Sequence, residues 1–168
     1  MAVPQGTLSL AGGADGLIEG GITYNVTEYE PQITNSDSTL VISQSEPGPK
    51  SVVISVQKNL INQWDLHLDD TPMDLIIRLN NGEYTAQFAK SLSEQLNITL
   101  NAGVGKVNLI FDPELAVQIK IGEHTSLLEI SSRGDWTQTG DLYETAPGSE
   151  ALTITINMRG GELNLDNK

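Results

Sequence analysis

Residues 75–130, LIIRLNNGEYTAQFAKSLSEQLNITLNAGVGKVNLIFDPELAVQIKIGEHTSLLEI, carry one hydrophobic pattern three times. Apolar residues recur at offsets of 0, +2, +9 and +11 within units of 21 residues. The three units hold Ile77, Leu79, Ala86 and Phe88, then Ile98, Leu100, Val107 and Leu109, then Ile119, Ile121, Leu128 and Ile130. After a longer insertion the offsets return at Ile154, Ile156, Leu163 and Leu165.

Each pair two positions apart lies on one face of a strand, because successive strand residues point in opposite directions. Every unit therefore predicts strand, short turn and strand, with one face inward. A fixed period of this length is typical of solenoids, whose neighbouring coils bury each other's apolar faces. The sequence predicts an all-β, β-helix-like solenoid with coils of about 21 residues. A two-sheet β-sandwich is the alternative. We expect Ile77, Ile98 and Ile119 to stack in neighbouring coils, and Phe88, Leu109 and Ile130 likewise.

The chain of 168 residues predicts a single domain over residues 1–168, with a less regular part at 1–60 and regular repeats at 61–168. Alternation predicts strands near Thr7–Leu10, Ile22–Val26, Leu40–Gln44 and Val52–Val56. It also predicts a strand at Asn62–Asp70 with Trp64, Leu66 and Leu68 on one face; the two leucines would be the +9 and +11 pair of a preceding coil. Helix-compatible composition occurs at Ala89–Gln95, which could form one or two turns at most.

The net charge of −13, with nine Lys and Arg spread along the chain, argues against nucleic acid as a partner. The same charge disfavours docking on anionic lipid. The chain has no cysteine, which excludes disulfides and Cys-ligated zinc. No apolar run is long enough to span a bilayer, so we expect no direct membrane insertion by this chain. No pattern calls for a cofactor.

Asp65, His67 and Asp69 share the polar face of the Asn62–Asp70 strand, with Asp70 and Asp74 nearby. Histidine and carboxylates can ligate a metal, but no DxDxDG or HxxxH spacing is present. We expect a solvated strand face here, since the outward face of an exposed strand is ordinarily polar.

Other catalytic patterns are weak. Asp112 with Glu114, or Asp65 with Asp69, could meet the carboxylate spacing of a glycosidase, as could many pairs among 22 acidic residues. No serine stands in a GxSxG elbow, and Gly103-Val104-Gly105-Lys106 lacks the spacing of a P-loop. His124 falls at a turn position matching Gly82 and Gly103, which predicts a turn residue. The sequence therefore predicts no enzyme.

The insertion within Ser131–Ala151 holds the best candidates for partner contact: Arg133, Trp136 and Tyr143. Loops that carry aromatic residues often bind partners, and large amphipathic rings are favoured at interfaces. The alternative is that both rings fold back and cover an open end of the solenoid, because exposed sheet edges need protection. Substituting the rings separates the two, because only covering rings contribute to stability.

The order of several motifs resembles the bacterial toast-rack family. The residues that carry the resemblance are Leu8-Ser9-Leu10-Ala11-Gly12-Gly13-Ala14, Leu17-Ile18-Glu19-Gly20, Tyr24-Asn25, Glu30-Pro31, Leu40-Val41-Ile42-Ser43-Gln44, Trp64-Asp65-Leu66-His67-Leu68, Leu100-Asn101-Ala102-Gly103-Val104-Gly105, Trp136 to Thr145, and Ile154 to Gly161. Glu123-His124 departs from it, because the family has a small Gly-rich turn there.

The resemblance implies a β-helix-like fold in a cell-wall stress regulator of the Lia type or an adhesin-like envelope protein, and supplies no catalytic residues. We therefore expect a non-enzymatic sensing or interaction module. Its partner would be a protein, a cell-envelope component or a second copy of the chain. A glycan-binding or glycan-active solenoid is the alternative. We expect an extracytoplasmic domain tethered through an upstream segment, or alternatively a cytoplasmic, membrane-associated one.

Overall fold

The computed structural model describes residues 5–24, 30–36, 38–44 and 62–168, which form an all-β structure, as predicted. Its strands in chain order are β1 (Gln5–Gly12), β2 (Ile18–Tyr24), β3 (Pro31–Ser36), β4 (Thr39–Gln44), β5 (Asn62–Leu68), β6 (Met73–Leu79), β7 (Gly82–Phe88), β8 (Leu96–Phe111), β9 (Val117–His124), β10 (Leu128–Arg133), β11 (Thr137–Thr139), β12 (Leu142–Glu144) and β13 (Leu152–Asp166). Ala89–Gln95 forms turns without a helix, and Leu92 within it is buried. That residues 1–168 form a single domain stays a prediction.

The strands join into two facing sheets that share β8 and β13. The front sheet has the order β2-β5-β1-β7-β8-β13-β10 and uses the carboxyl halves of the two long strands. The back sheet has the order β3-β4-β6-β8-β13-β9-β12-β11 and uses their amino halves. Pairing is parallel throughout the middle, as the coils of a solenoid require, and antiparallel where β2, β3, β11 and β12 pair. Among the described strands, this arrangement is open at its edges.

The long strands bend from one sheet to the other at glycine-containing corners that touch. A Cβ atom on Gly105 would lie 1.8 Å from the Gly82 carbonyl oxygen, and one on Gly161 would lie 1.9 Å from that of Gly105. Gly161 also has a φ of 107°, a conformation that favours glycine. Neighbouring corners therefore stack backbone on backbone, which only residues without a side chain permit.

One apolar core lies between the sheets. The inward residues of the back sheet form rows such as Leu75, Ile98, Ile154 and Ile119, each at most 2% exposed. In the front sheet the Phe88 and Phe111 rings stack with centroids 4.8 Å apart. The predicted inward orientation of Ile77, Leu100 and Leu109 is confirmed, since each is at most 2% exposed. Burial at this level is worth about 1.5–3 kcal/mol per large apolar side chain.

The predicted stacking order was wrong. Strand β13 lies between β8 and β9, so Ile98 and Ile119 each pair with Ile154 and not with each other. The period predicted which side chains face inward, but not the neighbours of a strand. A central position suits β13 because its inward residues are all buried, and strands paired on both sides need such residues.

The predicted register was also wrong at the first step. Strand β6 aligns with β8 two positions beyond the predicted period, so Ile77 pairs with Leu100 instead of Ile98. The front sheet has the same offset, and it pairs Phe88 with Phe111 and Leu109 with Ala86. Ile130 pairs with Leu163 of β13. A shift of two positions keeps every side chain on its own face, so the hydrophobic pattern alone does not detect it.

The amino-terminal strands complete both sheets. β1 lies between β5 and β7, so Leu66 aligns with Leu10 and Leu10 with Phe88. Leu66 and Leu68 were predicted to be the +9 and +11 pair of a preceding coil, and like the corresponding pairs of the other coils they lie in the front sheet. Strand β1, however, separates them from β7. Trp64 faces inward beside them. The predicted strand at Val52–Val56 lies outside the described residues.

Candidate functional site

The insertion after β10 forms a hairpin on the edge of the back sheet. Strands β11 and β12 pair antiparallel around Gly140, whose φ is 60°. Strand β12 also pairs with β9, which places Tyr143 beside Ile119 and Leu142 beside Lys120. The hairpin therefore occupies the backbone hydrogen-bonding groups on the outer side of β9.

The two aromatic rings of the insertion pack on the core. Tyr143 is 6% exposed and belongs to the core cluster. Burial, and to a smaller extent the charge of Asp141, raises the pKa of its phenol. Trp136 is half-buried, and its ring meets that of Phe111 edge to face with centroids 5.7 Å apart. Its Nε1 donates a hydrogen bond of 3.2 Å to the Arg133 carbonyl oxygen.

Arg133 differs from the two rings, because 72% of its side chain is exposed. Its Nη1 lies 3.8 Å from Asp166 Oδ2 at the end of β13. Arg133 and Trp136 thus meet at the β10–β11 connection, whereas Tyr143 lies on β12 beside Ile119, and both rings pack on the core as the covering alternative describes. Contact of Arg133, Trp136 and Tyr143 with a partner stays a prediction.

A buried asparagine that lies in none of the sequence motifs fixes this connection. Asn167 is 8% exposed, and its Oδ1 accepts a hydrogen bond of 3.0 Å from the Asp135 amide. The backbone N–H of Asn167 donates a hydrogen bond of 3.1 Å to the Arg133 carbonyl oxygen. Gly134, with a φ of 112°, leaves room for the amide group, because a Cβ there would lie 1.5 Å from Asn167 Oδ1. No local pattern in the sequence links positions this far apart.

The acidic and histidine residues of β5 lie on a solvated face, as expected. Asp65 and His67 are exposed, and Asp69 accepts hydrogen bonds from the Thr71 amide at 3.1 Å and from Thr71 Oγ1 at 2.7 Å. Asp74 accepts from Asn97 Nδ2 at 3.3 Å. Within the described ranges, no group of three or more histidine or acidic side chains is arranged to hold a metal ion.

The remaining catalytic candidates are engaged locally. Asp112 Oδ1 accepts a hydrogen bond of 2.9 Å from the Glu114 amide, and Glu114 forms an ion pair with Lys90. This pair raises the pKa of Lys90, chiefly through the hydrogen bond. His124 is exposed at the end of β9, with Nδ1 3.0 Å from the Gly122 carbonyl oxygen. These contacts are those of turns and surface ion pairs.

Polar side chains on the outer faces pair with each other across strands. Asn157 donates to Asn101 at 2.9 Å, and Asn164 donates to Asn108 at 2.8 Å. Asn108 in turn donates to Thr85 Oγ1 at 3.3 Å. The sequence contains a signal for these ladders, because both asparagine pairs have the same separation along the chain, the one at which β8 and β13 pair. Both outer faces therefore carry rows of paired polar groups.

Lys106 lies in such a row on the front sheet. It forms an ion pair of 2.8 Å with Glu162, which raises its pKa, chiefly through the hydrogen bond. The raised pKa favours the protonated form of this lysine at neutral pH. In the part of the chain that the structure describes, no helix has the length and hydropathy needed to cross a membrane.

Comparison with known proteins agrees with this architecture. A crystal structure at 1.95 Å described as "a putative cell adhesion protein from Clostridium sporogenes ATCC 15579" has a similar fold, with a TM-score of 0.57 and 20% sequence identity. The similarity covers 98% of this chain and 89% of that one. No curated protein matches the chain significantly. The family described as "N-terminal domain of toast_rack, DUF2154" matches residues 1–125. The chain therefore belongs to the toast-rack family, as its motifs predicted.

Proposed function

We propose that this chain is a non-enzymatic sensing or interaction module of a bacterial envelope protein involved in the response to cell-wall stress. It binds a protein partner or a component of the envelope, and it works outside the cytoplasm, tethered to the membrane by a segment upstream. The resemblance to Lia-type regulators and the similarity to a crystal structure described as that of a putative adhesion protein support this function.

The observation that carries the proposal is that polar side chains on the outer faces of the sheets pair with each other. Their asparagine and threonine side chains hydrogen-bond across strands, as between Asn157 and Asn101. Catalysis by side chains needs polar groups that converge on one reacting atom, with a pKa shifted toward neutrality. Rows of paired polar side chains instead make a pre-ordered surface, which loses little side-chain entropy when a partner binds.

The contact region that we propose is the end of the molecule formed by β10 and the β11–β12 hairpin. Arg133 is its exposed cation, and Trp136 presents the part of its ring that the core leaves uncovered. Tyr143 holds the hairpin against Ile119 from inside. Ring and cation together are the residue types that contribute most at interfaces.

Site-specific photo-crosslinking in the producing cells tests this function. A photoreactive residue replaces Thr139, an exposed residue of β11, and the control places the same residue at Thr34, an exposed residue of β3. Both threonines belong to edge strands, at opposite ends of the back sheet. We expect adducts with an envelope protein or polymer from position 139 and few from position 34.

Two results would contradict the proposal. The first is the absence of specific adducts from position 139. The second is turnover: purified protein incubated with peptidoglycan fragments and with soluble polysaccharides should release no product, as measured by mass spectrometry. Product whose formation requires this protein would make it an enzyme and support the glycan-active alternative.

A further inference from the structure

Strand β10 ends the front sheet with an unpaired side. Among the described strands, β10 pairs with β13 alone. Strand β9 precedes β10 in the same coil and lies in the back sheet, where β12 covers its outer side. The inward residues Leu128 and Ile130 are only half-buried, although their neighbour Leu163 on β13 is fully buried. One further strand would complete the burial of these two residues.

The free backbone groups of β10 can be assigned from its pairing with β13. The Gly161 amide donates to the Leu127 carbonyl oxygen at 3.0 Å, and the Asn167 amide donates to that of Arg133 at 3.1 Å. Odd-numbered residues of β10 thus bond to β13, and the backbone groups of even-numbered residues point away, because these groups alternate along a strand. The outward groups are the N–H and C=O of Ile130 and Ser132 and the C=O of Leu128.

The charges beside this edge favour a positive neighbour. In one row across the front sheet, Lys106 pairs with Glu162, and Glu162 lies directly beside Glu129 of β10. Like charges on directly opposite strand positions are destabilising. Glu129 is exposed and has no ion pair among the described residues. A basic side chain on its free side would offset the repulsion.

We propose that β10 binds an extended segment of a partner protein by strand addition, and that this segment carries a basic residue between two apolar ones. The apolar side chains cover Leu128 and Ile130, the basic one pairs with Glu129, and the backbone bonds to Ile130 and Ser132. In strand addition, main-chain hydrogen bonds supply affinity and alternate side chains supply specificity. This proposal rests on the proposed binding function.

A second copy of the chain fits this edge less well. The opposite end of the front sheet is β2, whose only charged residue is Glu19, and β3 has no charged residue. Neither edge strand offers the cation that Glu129 lacks. Strand β10 of a second copy would offer Arg133, but its Nη1 already lies 3.8 Å from Asp166 Oδ2 of its own chain. The net charge of −13 further opposes self-association.

The test is an NMR titration of the full chain with the blocked peptide acetyl-Thr-Val-Lys-Val-Thr-amide. Its symmetric sequence presents the same side chains whether it adds parallel or antiparallel. We expect shift changes centred on the amides of Ile130 and Ser132 and slower hydrogen exchange there. The same peptide with Glu in place of Lys should bind about fivefold more weakly, the size expected for one reversed cross-strand pair.

Two variants serve as controls. Glu129→Lys should reverse the preference between the peptides, and this exposed residue can change without loss of folding. Ile130→Pro removes an outward N–H at an edge position that tolerates proline, and should abolish binding of both peptides. A melting curve shows whether the proline variant is folded; if it is not, the charge reversal alone decides.

The outcomes are separable. If the Lys peptide fails to bind, or binds without Glu129→Lys changing the preference, the strand-addition proposal is wrong. Self-association in sedimentation that Ile130→Pro abolishes would identify a second copy as the occupant and overturn the proposal too. If crosslinking from position 139 persists in either case, the proposed function stands. Failure of both experiments removes both proposals.

Discussion

The last coil of the solenoid ends in two edges that are protected in different ways. In the back sheet, β9 is covered by a hairpin of the same chain, and Ile119 on it is fully buried. In the front sheet, β10 has no covering strand among the described residues, and Ile130 is half-buried between exposed polar side chains. The comparison shows that the insertion covers one edge and leaves the neighbouring edge without a covering strand among the described residues.

Tyr143→Ala should produce the largest effect, because it removes the ring that anchors the hairpin on Ile119. We expect a loss of about 3–5 kcal/mol in the free energy of unfolding, the range for a buried aromatic residue. Urea denaturation measures it. Thr139→Ala, on the exposed side of the same hairpin, is the control and should stay within about 0.5 kcal/mol of wild type. An unchanged urea midpoint for Tyr143→Ala would mean that the ring is free for a partner.

The two edges can be compared directly with Ile119→Ala and Ile130→Ala. The first substitution leaves a cavity at a fully buried position and should cost about 2–5 kcal/mol. The second removes a half-buried side chain and should cost about 1 kcal/mol, because much of its surface already contacts water. Denaturant midpoints of both variants test the difference. Equal costs would show that something covers β10 in solution.

Trp136→Ala should have a smaller effect than Tyr143→Ala. The ring is half-buried, and it loses the edge-to-face contact with Phe111 together with part of its apolar burial. We expect a cost of about 1–2 kcal/mol. Thermal and urea unfolding provide the measurement, and Trp136→Phe should restore part of the loss. A cost as large as that of Tyr143→Ala would make the indole a core anchor and remove it from the proposed contact region.

The smallest effect is a pH dependence at alkaline pH. Burial raises the pKa of Tyr143 above the ordinary value of 10.0, so the folded state keeps the phenol proton at pH values where the unfolded state has lost it. This contribution to stability is complete below pH 10 and is lost as pH rises through the folded pKa. Tyr143→Phe should therefore lose less stability than wild type above pH 10. Parallel curves for the two proteins would show an exposed phenol.

Much of the fold could be predicted from local pattern. Period-two alternation identified the inward faces of β5, β6, β8 and β13, because a strand side chain has only two faces to choose between. The candidate site was located less well. Arg133 and Trp136 do lie together, and Tyr143 lies on the hairpin that follows, but the sequence left open whether the rings cover an edge or face a partner. Asn167, which fixes their connection, was missed because its hydrogen bond joins positions far apart in the chain.

The sequence by itself determined the all-β class, the inward residues and the family, because alternation and motif order are properties of the chain alone. The tertiary structure decided that β13 lies between β8 and β9, that β6 aligns with β8 two positions beyond the predicted period, and that the β11–β12 hairpin pairs with the edge of the back sheet. The physical reason is that a shift of one parallel strand against another by an even number of residues keeps every side chain on its own face. A strand can therefore pair with any neighbour whose apolar residues alternate in the same way. The choice among them depends on packing at the glycine corners and across the whole core.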